Sequence, residues 1–415
     1  LHFSHQDRSG VLVVPRAPAA GNPWLWSADP PALGGVTEAL LKKGFHVAWI
    51  DVDDLYGNQE ALAHWDAFYD WAVKEHRLSS KPVLVCTEEH ALVTFNWAAG
   101  HLDTIACIFA QNPWLDFKDG QEAESPLCKK IREAHKQDSN AETVPFAAAP
   151  LRTAAQFGKA ETPMLLLHTG QESSSPQRQQ VDQFYKDYRL AGRGPFEAIL
   201  IPEDAVPVDG LTLHTLYFIL GNTSHLPSAT PGKPLPGAPE WTIADFSGTA
   251  GIYVLDDVVI IETGNDMSGV LWRGDVPKMD YEITLEAMRL SGNDFFCGLT
   301  APWEETAFSL ILGGWGGTCI GISSLDWLDA YNNETATFRS LLPHRWYPVK
   351  LRVTGGRIQA WVDREQLVDV EIGDREVDIR WEMAPVKPLG IATWRTTGAF
   401  RKFRLISLSP LEIPE

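Results

Sequence analysis

Short apolar runs alternate with stretches of helical periodicity through the first half of the chain. Val11 to Val14, His46 to Val52, Val83 to Cys86, Ile105 to Ala110, Met164 to His168 and Glu197 to Ile201 read as buried strands. Between them, a helix closing near Gly44 and a long one over Asn58 to His76 stand out. This alternation predicts a doubly wound, mainly parallel sheet with helices on both faces. From Trp114 to Pro163 the pattern fades into a polar, Ala-rich insertion. The composition changes abruptly at Asn222, and repeated prolines up to Pro239 predict an extended, semi-rigid linker. Beyond Trp241 helical periodicity is absent. Ile252 to Leu255, Val258 to Ile261, Tyr281 to Leu290, Val349 to Val353 and Ile358 to Val362 are short strands set off by turn signals such as Asp256-Asp257 and Gly355-Gly356. Ile358, Ala360 and Val362 fall on one face and Gln359, Trp361 and Asp363 on the other, the period of a half-buried strand. The expected organisation is therefore an α/β domain over 1–221, a linker over 222–240 and an antiparallel β-sandwich over 241–415.

A length of 415 residues with 44% hydrophobic content suits two globular cores. The formal net charge of −19 argues against nucleic acid or an anionic membrane surface as partner. No apolar run reaches the length of a membrane-spanning helix. The five cysteines, Cys86, Cys107, Cys128, Cys297 and Cys319, are odd in number and lack CxxC spacing, so neither a disulfide framework nor a zinc site is indicated, and Cys86 and Cys107, at predicted strand ends, are expected as buried thiols. The chain begins without Met, which fits a processed N-terminus; an exported bacterial protein, periplasmic or extracellular, is the expectation. No Walker-type or dinucleotide-binding glycine pattern is present, so no nucleotide cofactor is expected.

Val83 to Cys86 leads through Thr87-Glu88-Glu89-His90 straight into the apolar helix Ala91 to Ala99. A buried strand, a sharp turn and a helix follow one another, as at a nucleophile elbow, where small residues stand two before and two after the nucleophile. Those positions are Cys86, Glu88 and His90. Together with Lys43-Gly44-Phe45-His46-Val47-Ala48, Asp54-Leu55-Tyr56-Gly57 and Asn96-Trp97-Ala98-Ala99, this order resembles the α/β-hydrolase superfamily, esterase-like bacterial members in particular. The resemblance places the nucleophile at Glu88, the acid at Glu172 in the loop after Met164 to His168, and the histidine in a loop, Pro202 to Gly210, that contains none. Serine-type acyl transfer lacks a base there, since His214 comes later, on a helix. Adjacent Glu89 disfavours ionising both carboxyls, which weakens Glu88 as a nucleophile. Asn22 to Ser27 falls in the usual oxyanion-hole region, although its tryptophans suit core packing equally.

In the second half, Ser268 to Trp272, Asn293-Asp294-Phe295-Phe296-Cys297-Gly298-Leu299, Gly313-Gly314-Trp315-Gly316-Gly317, Asn332-Asn333-Glu334-Thr335 and Pro388 to Thr393 resemble the concanavalin-like (laminin-G-like) sandwich family named for 3-keto-disaccharide hydrolase. The resemblance implies a glycoside as ligand or substrate. Glycines on both sides of Trp315 let the backbone approach closely at a bulge or beneath a ligand, and an indole stacks on the apolar face of a sugar. Asn293, Asp294, Asp326, Trp327, Asp329, Asn332, Asn333 and Glu334 are the polar and aromatic candidates beside it. A glycosidase would draw its two carboxyls from Asp294, Asp326 and Glu334. Ca²⁺ is the one candidate metal, but Asp326-x-x-Asp329-x-x-Asn332 lacks EF-hand spacing, so metal stays unassigned.

The sequence thus reads as a degenerate α/β-hydrolase domain, expected to be inactive, joined to a β-sandwich that binds or processes carbohydrate. The alternatives are an active glycoside or 3-keto-glycoside hydrolase or lyase in the second domain, an unusual esterase through Glu88, and a structural assembly protein. Oligomeric state is left open.

Overall fold

The computed structural model describes residues 1–31, 34–116, 126–135, 149–169, 176–201 and 208–408. The chain divides into two compact units, Leu1–Val206 with Thr215–His225, and Pro207–His214 with Leu226–Glu415. No helix among the described residues is long and apolar enough to cross a membrane.

The N-terminal unit runs β1 (His2–His5), β2 (Arg8–Val13), β3 (Trp24–Ser27), α1 (Gly35–Lys42), β4 (His46–Ile50), α2 (Gln59–Lys74), β5 (Val83–Thr87), α3 (Ala91–Gly100), β6 (Cys107–Gln111), α4 (Pro126–Ala134), α5 (Ala154–Lys159), β7 (Met164–Thr169), α6 (Pro176–Ala191) and β8 (Phe196–Ile201), with α7 (Val208–Asn222) after it. The sheet order is β1-β2-β4-β3-β5-β6-β7-β8. Pairing is antiparallel as far as β2–β4 and parallel from β3 onward. This mixed, mainly parallel sheet with its helices fits an α/β-hydrolase fold.

Asn58 caps α2, its Oδ1 accepting from the Ala61 N–H at 3.0 Å. Ala61, Trp65, Phe68 and Ala72 then form the buried stripe of that helix. That stripe meets the tryptophans of β3 and the helix α3. Trp26 stacks on Trp65 with ring centroids 4.3 Å apart and meets Trp97 of α3 edge-on at 4.8 Å. Asn22 to Ser27 is therefore no oxyanion-hole loop over its tryptophans: Trp24 to Ser27 is an inner strand between β4 and β5, and both indoles are core. A strand of four residues directly after Pro23 is too short to show periodicity. The acid position Glu172 and the loop from Pro202 to Pro207 lie outside the described residues. All five cysteines are buried thiols.

The C-terminal unit contains β9 (Pro234–Leu235), β10 (Ala238–Ile243), β11 (Ile252–Leu255), β12 (Val258–Ile261), β13 (Met267–Trp272), β14 (Tyr281–Gly292), β15 (Cys297–Trp303), β16 (Thr306–Gly313), β17 (Cys319–Ser323), β18 (Thr337–Phe338), β19 (Tyr347–Thr354), β20 (Arg357–Val362), β21 (Glu365–Glu371), β22 (Gly390–Trp394) and β23 (Thr396–Ser407). They form two antiparallel sheets, β18-β17-β16-β15-β22-β13-β10-β9 and β11-β12-β23-β14-β19-β20-β21. Val270, Leu299, Leu310 and Ile322 of the first share one core with Ile283, Leu285, Leu351 and Ile358 of the second, so the sheets pack as a sandwich. A smaller core of Met267, Ala307, Met383 and Ala392 covers part of the outer face of the first sheet.

The Pro-rich stretch is not wholly the extended linker expected over 222–240. Its last part enters the sandwich as β9 and the start of β10, and β9 is the outermost strand. An edge strand leaves one side of its backbone unpaired, so Pro234 forfeits nothing by lacking an N–H.

Trp65→Ala should cost about 3–5 kcal/mol by opening a cavity beneath β3, read as a lower denaturation midpoint and faster hydrogen exchange at the β3 and β5 amides. Undiminished protection of those amides would contradict the place given to this indole.

Candidate functional site

At the end of β5 the chain turns sharply. Thr87 is still extended (φ −123°), whereas Glu88 adopts φ 44°, a left-handed conformation costly for a residue with a Cβ. A 3₁₀ turn over Glu88–His90 then opens α3, which is buried almost throughout. Gly57 lets the preceding segment close on this helix: a Cβ there would lie 2.6 Å from the Val93 nitrogen. The strained turn of an elbow is thus kept, with a carboxylate at its exposed tip.

Charged groups gather around the base of the turn. His90 Nδ1 lies 2.9 Å from Asp29 Oδ1 and Nε2 3.4 Å from Asp53 Oδ1. The Nδ1 contact is ionic and lacks the alignment of a directed hydrogen bond. Burial alone would lower the His90 pKa, but the two carboxylates outweigh it and raise the value to about 10. The imidazole is therefore charged at neutral pH and cannot accept a proton. Asp29, in the loop after β3, also accepts from the Thr87 N–H at 2.9 Å and from the Thr87 hydroxyl. Asp29 thus places a second carboxylate beside the turn, in contact with both Thr87 and His90. His214 is buried, its ring edge-on to His344 at 4.8 Å.

The sandwich unit presents a different kind of site on the outer face of its first sheet. A cleft of about 280 Å³ has Met267, Ile311, Ser323 and Trp394 as its sheet residues. Asp294 and Phe295, between β14 and β15, form one wall, and Arg380, Glu382 and Met383, in and before a 3₁₀ segment over Trp381–Val386, form another. Trp315 completes the lining from the turn after β16. That turn is left-handed at Gly313, Trp315, Gly316 and Gly317, and a Cβ at Gly317 would come within 2.6 Å of Arg289 Nη1. Only glycine closes the turn this tightly, and the closure leaves the indole 41% exposed rather than buried. Tyr331 lies 5.9 Å from Trp315, and Phe338 5.3 Å from Tyr331, ring centroid to centroid.

Arg380 binds the walls together, donating to Glu382 Oε1 at 2.6 Å and to Asp329 Oδ2 at 3.4 Å. The Glu382 bond raises the pKa of the guanidinium. Burial disfavours ionised Glu382, yet the hydrogen bond and charge of Arg380 prevail and hold its carboxyl below the usual range. Ser323 is 2% exposed and its hydroxyl has no hydrogen-bond partner among the described residues, although it lines the cleft.

No protein-family model matches the chain, and no curated protein sequence matches it. Among solved structures it is similar to MPT51 of Mycobacterium tuberculosis, with TM-score 0.39 and 13% identity over 54% of this chain and 96% of that one. It is similar also to Est1E of Butyrivibrio proteoclasticus, solved with ferulic acid, with TM-score 0.40 and 14% identity over 54% of this chain and 99% of that one. A third likeness is to the carbohydrate binding module CBM66 from Bacillus subtilis, with TM-score 0.29 and 12% identity over 43% of this chain and 99% of that one.

Of the residues singled out in the sequence, Asp294 and Trp315 meet in the cleft, and Asp329 reaches it through Arg380. The others do not gather around Trp315 as expected. Arg375 ties down both Asp326 and Glu334. Trp327 donates from Nε1 to Glu376 at 3.0 Å, and Asn332 donates to Asp329 at 2.9 Å. Asn333 is buried and holds the backbone of Ile322 and Asp329, while Asn293 is exposed beside the Trp315 turn and is not part of the lining. Polar residues adjacent in a loop satisfied one another and the nearest arginine. Among the described residues no cluster of three or more His, Cys, Asp or Glu is arranged to hold a metal ion. Arg380, Glu382 and Trp394 were missed. Arg380-Trp381-Glu382, with opposite charges around an indole that is 81% exposed, was the available signal.

His90 gains stability from its raised pKa. That contribution is complete below the unfolded value of about 6.5 and is lost as pH rises through the folded value of about 10. The stability difference between wild type and His90→Gln should therefore shrink steadily over that window in denaturant titrations. A difference independent of pH there would contradict the ion pairs.

Proposed function

We propose that the sandwich is a carbohydrate-binding domain of the concanavalin-like, 3-keto-disaccharide hydrolase type, with its sugar in the Trp315 cleft, and that the α/β-hydrolase unit is a non-catalytic scaffold. The observation that carries this reading is one cleft in which Trp315, Phe295 and Trp394 surround Asp294, Arg380, Glu382 and the unpartnered Ser323 hydroxyl. A sugar ring has apolar C–H faces and a rim of hydroxyls. Indoles suit the former. An arginine and carboxylates, already fixed by one another, suit pairs of neighbouring hydroxyls at little entropic cost. The scaffold reading of the first unit rests on charged His90, the carboxylate of Asp29 and the absence of serine at the elbow.

Asp294 and Glu382 line the same cleft, which favours glycoside cleavage as the second reading. Binding is preferred because a general acid needs a raised pKa, and Glu382 is held low by Arg380.

Trp315→Ala should weaken binding several-fold or more in calorimetry against a panel of neutral glycans, as a stacking contact contributes about 0.5–1.5 kcal/mol beyond burial. Unchanged affinity in a folded variant would move the site elsewhere. Incubation with a fluorophosphonate probe should leave the N-terminal unit unlabelled; covalent labelling of any residue there would overturn its non-catalytic assignment.

A further inference from the structure

The outer face of the second sheet carries a feature that the Trp315 cleft does not use. A concavity of about 480 Å³ contains Lys350, Arg364, Lys402 and Arg404 with a single carboxylate, Glu286. Register explains the gathering: Arg404 of β23 pairs with Thr284 of β14, Thr284 with Lys350 of β19, and Lys350 with Trp361 of β20. A cross-strand row of two cations and an indole results.

Elsewhere on this face the arginines have carboxylate partners. Arg352 pairs with Glu282 at 2.7 Å and Arg357 with Asp369 at 2.7 Å. Inside the concavity Glu286 is shared between Arg401 and Lys402. Lys350 rests over Trp361, its Nζ 3.9 Å from the ring centroid, while Arg364 and Arg404 are exposed and form no ion pair among the described residues. A chain with a net charge of −19 thus keeps an excess of positive charge in one hollow. Like charges facing one another are destabilising unless something neutralises them.

We propose that this hollow is a second ligand site, for an acidic sugar: a pyranose unit that carries a carboxylate or a sulfate ester. The cations meet the anionic group, with Arg404 and Arg364 free to make charge-assisted hydrogen bonds. Pro348 lines the same hollow and supplies apolar surface for the ring, while Trp361 holds Lys350 in place by its cation–π contact. The volume falls within the range of small-ligand sites. A long polyanion is disfavoured, because its far end would meet the net negative charge of the chain, whereas a short ligand sits within the screening length of about 8 Å of the cations. The site lies on the opposite sheet from the Trp315 cleft and does not depend on the function assigned to that cleft.

Calorimetry on the full chain at low ionic strength, with trigalacturonate, a sulfated disaccharide and the uncharged counterpart of each, tests this. At least one acidic sugar should bind more tightly than its uncharged counterpart and weaken as salt is added. Arg404→Gln and Arg364→Gln should each lower that affinity about tenfold, while Arg357→Gln, on the same face but outside the hollow, leaves it unchanged. Preference for trigalacturonate identifies the anion as uronate, and preference for the disaccharide identifies it as sulfate. Three results would overturn the proposal: no advantage of either acidic sugar over its neutral counterpart, full affinity in Arg404→Gln, or equal binding of a short oligonucleotide.

Discussion

Arg380 sits where three parts of the sandwich converge, and its two carboxylate partners come from different places in the chain. Glu382 belongs to its own 3₁₀ segment, while Asp329 belongs to the loop after β17. The ion pairs fix that segment and that loop beside the outer face of a sheet whose inner face is already committed to the main core. The wall formed by Arg380, Glu382 and Met383 is held in addition by the small outer core beneath it and by the backbone pairing of Ser324 with Asp378. A partly buried charge loses hydration when its site forms, and a mutually paired group recovers much of that loss. A ligand then meets polar groups that need no further ordering, while Trp315, held by its left-handed turn, faces them across the hollow.

The two units show how differently a site can persist. At the end of β5 the backbone strain at Glu88 comes with the passage from a buried strand to a buried helix. The side chains then settled into a structural arrangement, with His90 held between Asp29 and Asp53. The strain of an elbow therefore serves packing as well as chemistry. In the sandwich the reverse holds: the strained turn at Trp315 exposes an indole instead of burying one.

Most of the α/β strands and the change of periodicity after Trp241 were legible, since buried parallel strands and half-buried antiparallel ones leave different patterns. Trp24 to Ser27 was not, being too short and too near Pro23, and β9 hid among prolines that only an edge strand tolerates. Within the candidate site, Trp315 was legible from its glycines and Asp294 from its neighbours in the same motif. Arg380, Glu382 and Trp394 were not, because topology alone brings them to Trp315 from later in the chain. The loop from Asp326 to Glu334 misled for a physical reason. Its density of polar groups reflects internal pairing and Arg375, a residue whose approach no local pattern announces.

The proposed neutral sugar sits in the Trp315 cleft. Nitrogen-labelled protein titrated with neutral oligosaccharides, and followed through the indole N–H signals, tests this most directly. Shifts concentrated at Trp315 and Trp394, with those of Trp24, Trp65 and Trp361 unmoved, are the predicted result. Shifts confined to other indoles, or none at all with any sugar, would contradict it.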